Sequence, residues 1–165
     1  MCSNQVIGVL GGGQLGRMLV ESANRLNIRT IILDAEGSPA KQINGQDNHV
    51  NGSFKDHKAV QQLAQQCDIL TPEIEHVDTY ALEEVQSQVK VEPSWRTIRT
   101  IQDKFQQKCH LEKYNIPMPK HVEIQENSVD ELKAAGKKLG LPFMLKSKTG
   151  AYDGRGTLCC SVIVL

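Results

Sequence analysis

Apolar residues fall along this chain in two patterns: short unbroken runs, and stretches in which they recur every three or four positions. The first run, Val6 to Leu10, feeds into glycines, and Leu15, Met18, Leu19, Ala23 and Leu26 follow with a helical period. Residues 5–10 are therefore expected as a strand, 13–27 as a helix and 28–33 as a second strand. The default for such a βαβ unit is a right-handed crossover in a parallel sheet. The alternation continues. A short helix is expected from Ser38, a short strand within 49–54, and a helix capped by Asp56 running to Gln66 with Val60 and Leu63 inward. A fourth strand over 68–71, a helix over 78–88 and a last short strand over 89–91 complete the pattern of an α/β, doubly wound parallel sheet.

The second part of the chain reads differently. After Glu92-Pro93-Ser94 a helix begins at Trp95, capped by Ser94, and a polar, helix-permissive segment runs over 97–114 with Ile98, Ile101, Phe105 and Leu111 inward. Pro117 and Pro119 stop it. A boundary near Asp103 divides the chain into 1–103 and 104–165. Beyond the prolines, 121–124 is expected as a strand and 128–139 as an amphipathic helix, with Ser128 and Glu131 at its start and Gly140 at its end. Residues 141–147 are expected as a buried strand ending on Lys146, a position where a lysine is costly unless it meets a negative partner.

Length and charge narrow the classes of function. At 165 residues the chain can bury a core of one domain or slightly more. Nineteen Lys and Arg balance nineteen Asp and Glu, so no global field draws in nucleic acid or an acidic membrane. No apolar run reaches the roughly eighteen residues that a membrane span requires, and a cytoplasmic protein is expected. The five cysteines are odd in number and lack metal-binding spacing, which fits reduced thiols, with Cys67 and Cys109 packed in or near the core.

Three stretches carry candidate chemistry. Gly11-Gly12-Gly13-Gln14-Leu15-Gly16 has the spacing G-x-G-x-x-G between a strand and a helix, where free N–H groups face any anion. With Asp34 at the end of the second run it suits a dinucleotide, another phosphate, or close packing of helix on sheet. In Thr71-Pro72-Glu73-Ile74-Glu75-His76 the two acids share one side of an extended segment, as acceptors for a polar ligand or as a solvated turn before a helix. Lys148 to Gly156 holds three glycines, two cations and Tyr152-Asp153, the make-up of a loop that folds over phosphates or of an ordinary hairpin turn.

Taken together, Gly11 to Met18, Glu73 to Val77, and Lys146 followed by Tyr152-Asp153-Gly154-Arg155-Gly156 have the order and spacing of a known family. Over residues 1–156 the chain resembles the amino-terminal portion of the N5-carboxyaminoimidazole ribonucleotide synthetases, ATP-grasp enzymes of purine biosynthesis. In particular it looks like their fungal form, in which this part begins phosphoribosylaminoimidazole carboxylase. The resemblance implies a pre-ATP-grasp, Rossmann-like substrate domain over 1–103 and the start of an ATP-grasp domain over 104–165. It places Gly12, Gly13, Gln14 and Leu15 beside aminoimidazole ribonucleotide and its phosphate, with Glu73 holding that substrate. It implies that Tyr152, Asp153 and Arg155 close over nucleotide and bicarbonate, and that Lys104 and Lys146 contact the phosphates of ATP, bridged by Mg2+. The implied reaction is ATP-dependent: bicarbonate becomes carboxyphosphate and then carboxylates the substrate amine. A homo-oligomer of the full-length enzyme is compatible with it.

Residues 157–165 depart from the resemblance, carrying no charge over the last eight positions. The chain is expected to be a truncated fragment with an atypical, aggregation-prone tail, inactive alone because the rest of the ATP-grasp domain is missing. The competing reading is a non-catalytic nucleotide-binding module of the same fold. An NAD-dependent oxidoreductase resting on the glycines and Asp34 leaves Lys146 and the loop after it unexplained.

Overall fold

The computed structural model describes residues 5–151 and 154–161. The chain divides into two compact units, Met1–Arg99 and Thr100–Leu165.

The first unit is built on five parallel strands, β1 (Val6–Leu10), β2 (Arg29–Asp34), β3 (Val50–Asn51), β4 (Ile69–Pro72) and β5 (Lys90–Val91), in the order β3-β2-β1-β4-β5. The order reverses between β1 and β4. Crossovers are α1 (Gln14–Arg25), α2 (Pro39–Gln42), α3 (His57–Ala64) and α4 (Thr79–Val85), and α5 (Trp95–Gln102) follows β5. Side chains alternate across each strand, so the sheet builds a core on both faces. Val9 and Ile32 join Val20 of α1 and Ala40 of α2 in one cluster. Leu10, Ile31 and Leu33 join Val60 and Leu63 of α3, Leu82 of α4 and Ile98 of α5 in the other. Asp56 caps α3 as expected, and Asp78 caps α4, each by accepting first-turn N–H groups.

The buried side of α1 is not the one its larger apolar residues mark. Gly16, Val20 and Ala23 face the sheet, while Leu15, Met18 and Leu26 are exposed. The cause is distance: a Cβ on Gly16 would lie 2.7 Å from the Gly11 carbonyl oxygen, so only the small-residue stripe allows the helix this close.

In the second unit α6 (Lys104–Lys113) and α7 (Val129–Leu139) accompany the antiparallel pair β6 (Phe143–Lys146) and β7 (Thr157–Cys160). Three expectations are corrected here. The helical stretch over 97–114 is two helices, because Asp103 takes an extended conformation and its side chain accepts from the N–H groups of Phe105 and Gln106. Ile101, in the last turn before the break, is exposed. Residues 121–124 form no strand. β6 is not buried throughout: Phe143 is, but Met144 and Lys146 are exposed, since the described part of this sheet has two strands. The start of the tail is regular, with Thr157 to Cys160 paired along β6. Among the described residues no helix is long and apolar enough to cross a membrane.

Candidate functional site

In open α/β sheets ligands bind beyond the carboxyl ends of the strands, where the strand order reverses. Here that point lies between β1 and β4. β1 delivers the glycine turn and β4 delivers Glu73, whose N–H donates to the Leu10 carbonyl at 2.9 Å. Gly11 adopts φ +106°, and a Cβ there would lie 2.7 Å from Glu73 Oε2. The turn and the acid are thus in direct contact. No side chain other than hydrogen fits between them.

The turn is held from the β2 side as well. Gly11 N–H donates to the Leu33 carbonyl at 3.1 Å, Gly12 N–H donates to Asp34 Oδ2 at 2.5 Å, and the Gly12 carbonyl accepts from Ala40 N–H at 2.9 Å. Asp34 Oδ1 accepts from Ala35 N–H. Asp34 therefore serves the backbone, each of its carboxylate oxygens accepting one N–H group. No sequence signal links it to Gly12, twenty-two positions away.

What remains open is the start of α1. Its cap residue Gly13 supplies no side-chain acceptor, its first turn carries no acid, and no protein acceptor among the described residues meets the N–H groups of Gly13, Gln14, Leu15 and Gly16. These groups and the aligned peptide dipoles favour an anion. Glu73 is half-buried, and its carboxylate has no hydrogen-bond partner among the described residues. Burial, then the charges of Asp34 and Glu75, holds its carboxyl above the usual carboxylate range. A half-buried acid without a partner next to unpaired donors is a site for a ligand that carries both an anion and hydroxyl or amine donors. His76 lies 3.6 Å from Glu75 Oε1.

In the second unit Lys104 meets the glycine-rich loop. Lys104 N–H donates to the Lys148 carbonyl at 2.8 Å, and Lys104 Nζ donates to the Ala151 carbonyl at 2.6 Å. Ser147 N–H donates to the Gly156 carbonyl at 2.8 Å, closing the base of the loop. Gly150, Gly154 and Gly156 all have φ between +66° and +81°, so the loop's course depends on them. A cavity of about 500 Å3 is lined by Lys104, Lys108, Lys120, Lys146 and Lys148 together with apolar side chains such as Phe105 and Leu145. Lys148 pairs with Glu123 at 2.8 Å, and Lys146 is exposed at the end of β6. Arg155 is exposed in the turn before β7. Tyr152 and Asp153 lie outside the described residues. An ammonium-lined cavity with an apolar wall suits a polyphosphate joined to an aromatic base. Among the described residues no three acids, histidines or cysteines come together as a metal site.

Comparison with known proteins identifies the family of the two parts of the chain. The ribonucleotide synthetase preATP-grasp domain matches residues 4–102, and the ATP-grasp domain matches residues 109–162. The chain is 54% identical over 156 residues to phosphoribosylaminoimidazole carboxylase of Candida albicans, covering 93% of this chain and 28% of that protein. It therefore spans little more than a quarter of that relative. Among solved structures, a carboxyaminoimidazole ribonucleotide synthase from Aspergillus clavatus complexed with ATP is 64% identical, with a TM-score of 0.94 over 99% of this chain and 43% of that one. A structure from the same organism in complex with ADP and 5-aminoimidazole ribonucleotide is 61% identical, with a TM-score of 0.93 over 99% of this chain and 42% of that one.

Proposed function

The chain belongs to the ribonucleotide synthetase preATP-grasp family, followed by the start of an ATP-grasp domain, and on that premise we propose that it serves the ATP- and bicarbonate-dependent carboxylation of 5-aminoimidazole ribonucleotide in purine biosynthesis. The observation that carries this reading is the contact between the glycine turn and Glu73 at the reversal of strand order. An anion at the start of α1 and a donor at Glu73 describe the two ends of a ribonucleotide.

In this reading the N–H groups of Gly13, Gln14 and Leu15 receive the substrate's phosphate region, Gly12 forms the floor of the turn, and the Glu73 carboxylate accepts from the sugar or the amine. Lys104 and Lys146 hold the phosphates of ATP, each as a point charge. Bound ATP supplies the phosphoryl group that activates bicarbonate. Arg155, with Tyr152 and Asp153, covers the reacting groups, neutralising charge and excluding water from a short-lived acyl phosphate. The magnesium that accompanies ATP is carried by its phosphates, and no protein ligand is assigned to it. We set the division between the substrate part and the ATP-grasp part near Asp103. The free thiols Cys67, Cys109, Cys159 and Cys160 fit a reducing cytoplasm. A homo-oligomer of the full-length enzyme is compatible with this reading.

The test is titration of the 165-residue chain with 5-aminoimidazole ribonucleotide, followed by melting temperature, beside an assay of ADP release with ATP, magnesium and bicarbonate. A rise in melting temperature without ADP release is expected, since the substrate site lies in the first unit and this chain is the smaller part of its relatives. No rise at millimolar ligand overturns the assignment of the substrate site. Substrate-stimulated ADP release overturns the assignment of the chain as catalytically incomplete.

A further inference from the structure

We propose that Asp34 is a positioning residue of the ribonucleotide site, its carboxylate fastening Gly12 so that the free N–H groups at the start of α1 and the carboxylate of Glu73 face one ligand. This rests on the reading of that site given above.

Gly12 is gripped on three sides by β2 and the segment that follows it. Its N–H is taken by Asp34 Oδ2 and its carbonyl by Ala40 N–H. Its Cα is packed so closely that a Cβ would lie 2.6 Å from Ser38 Oγ and 2.9 Å from Ile32 Cγ2. Ser38 shows that this grip has a cost. It stands at the cap position of α2, yet its side chain caps nothing, because Ala40 N–H goes to Gly12 instead. The Ser38 hydroxyl is left buried without a hydrogen-bond partner among the described residues. A lost cap and an unsatisfied hydroxyl are tolerated where a backbone must be held in one place.

The choice of an acid for this grip is informative. Asp34 sits one strand away from a helix start that favours anions, and its charge opposes both an incoming phosphate and the ionisation of Glu73. A neutral side chain would avoid that conflict. A carboxylate gives a shorter and stronger bond to an N–H than a neutral acceptor does, so the position trades some anion affinity for a rigid turn. Glu73 is faced by Asp34 from the end of β2 and by Glu75 from its own segment, with the His76 ring against Glu75. Burial first, and then the two carboxylates, holds the Glu73 carboxyl above the usual carboxylate range.

The test compares Asp34→Asn with Asp34→Ala in the 165-residue chain, by hydrogen exchange at the Gly12 amide, NMR titration of the Glu73 carboxyl without ligand, and calorimetry with 5-aminoimidazole ribonucleotide. Asn keeps an acceptor for Gly12 and removes the charge. It should hold Gly12 exchange within about threefold of wild type and move the Glu73 titration down. Ala should speed Gly12 exchange by about tenfold or more, the factor expected for loss of a charge-assisted bond, and weaken the ribonucleotide by a similar factor. Unchanged Gly12 exchange in Asp34→Ala overturns the proposal, as does faster exchange with unchanged affinity. Should Asp34→Ala fail to fold, Asp34→Asn decides: a Glu73 titration that does not move shows that Asp34 does not act on this site. If the wild-type chain binds no ribonucleotide, the reading of the site fails and this positioning role falls with it. Gly12 exchange would then show separately whether Asp34 holds the turn.

Discussion

Lys104 Nζ donates to the Ala151 carbonyl at 2.6 Å, joining the first residue of α6 to a loop forty-seven positions further along the chain. The backbone N–H of the same lysine donates to the Lys148 carbonyl. Lys104 therefore sets where the glycine-rich loop leaves β6 before any phosphate is considered, and its ammonium keeps two further protons for a ligand. Lys104→Met should release the loop while leaving α6 intact, because Asp103 still caps that helix. We expect the Ser147 amide, which donates to Gly156, to exchange about tenfold faster, equivalent to the roughly 1.4 kcal/mol of one lost hydrogen bond. Unchanged exchange at Ser147 would show that the loop is held by its glycines alone.

Glu73 should act oppositely on stability and on binding. Its folded-state carboxyl lies above the usual range, through burial first and then the charges of Asp34 and Glu75. Between the ordinary and the raised value the folded chain holds more protons than the unfolded one, so stability falls as pH rises through that window and stays lowered above it. Glu73→Gln should therefore melt above wild type at pH 7, with the gap closing as pH falls below the ordinary carboxylate range. The same variant should bind 5-aminoimidazole ribonucleotide about ten- to a hundredfold more weakly, as expected for loss of a charged acceptor. Melting curves across pH that run parallel would remove Glu73 from the set of strained groups.

Gly12 and Gly13 are neighbours with different tolerances. A Cβ on Gly12 meets Ser38 Oγ and Ile32 Cγ2 inside 3 Å, whereas one on Gly13 meets nothing within 4 Å. Gly12→Ala should cost about 1–3 kcal/mol by overpacking, and Gly13→Ala about 0.5–1 kcal/mol, the smaller cost of exchanging glycine for alanine at a helix cap. Urea unfolding of the two variants makes the comparison. Equal costs would mean that the turn relaxes freely.

Cys67 should resist alkylation. Its Sγ donates to the Leu63 carbonyl at 3.2 Å, and burial pushes its thiol up to about 11. At pH 8 about one molecule in a thousand would then carry the reactive thiolate, whereas Cys159 is exposed. Mass spectrometry after brief iodoacetamide treatment should find Cys159 modified and Cys67 intact. Comparable labelling would place Cys67 outside the core.

The sequence by itself determined the α/β alternation, the caps at Asp56 and Ser128, and the membership of the glycine turn and Glu73 among the candidate residues. Each of these depends on neighbours within a few positions: a period of apolar residues, a short acceptor before a helix, glycines between a strand and a helix. Asp103 belongs with them, since an acid with Gln106 three positions on is a capping pattern that the smooth polarity of 97–114 concealed. The tertiary structure alone decided what lies far apart in the chain. It brought Gly11 against Glu73, set the Asp34 carboxylate as the acceptor of the Gly12 N–H, and tied Lys104 to Ala151. It also faced α1 inward through Gly16 rather than through its larger residues. The physical reason is common to all four. Hydrophobic periodicity fixes which side of an element is apolar, but how closely two elements approach, and which backbone group is left for a side chain to satisfy, is fixed only when the sheet brings its strands side by side.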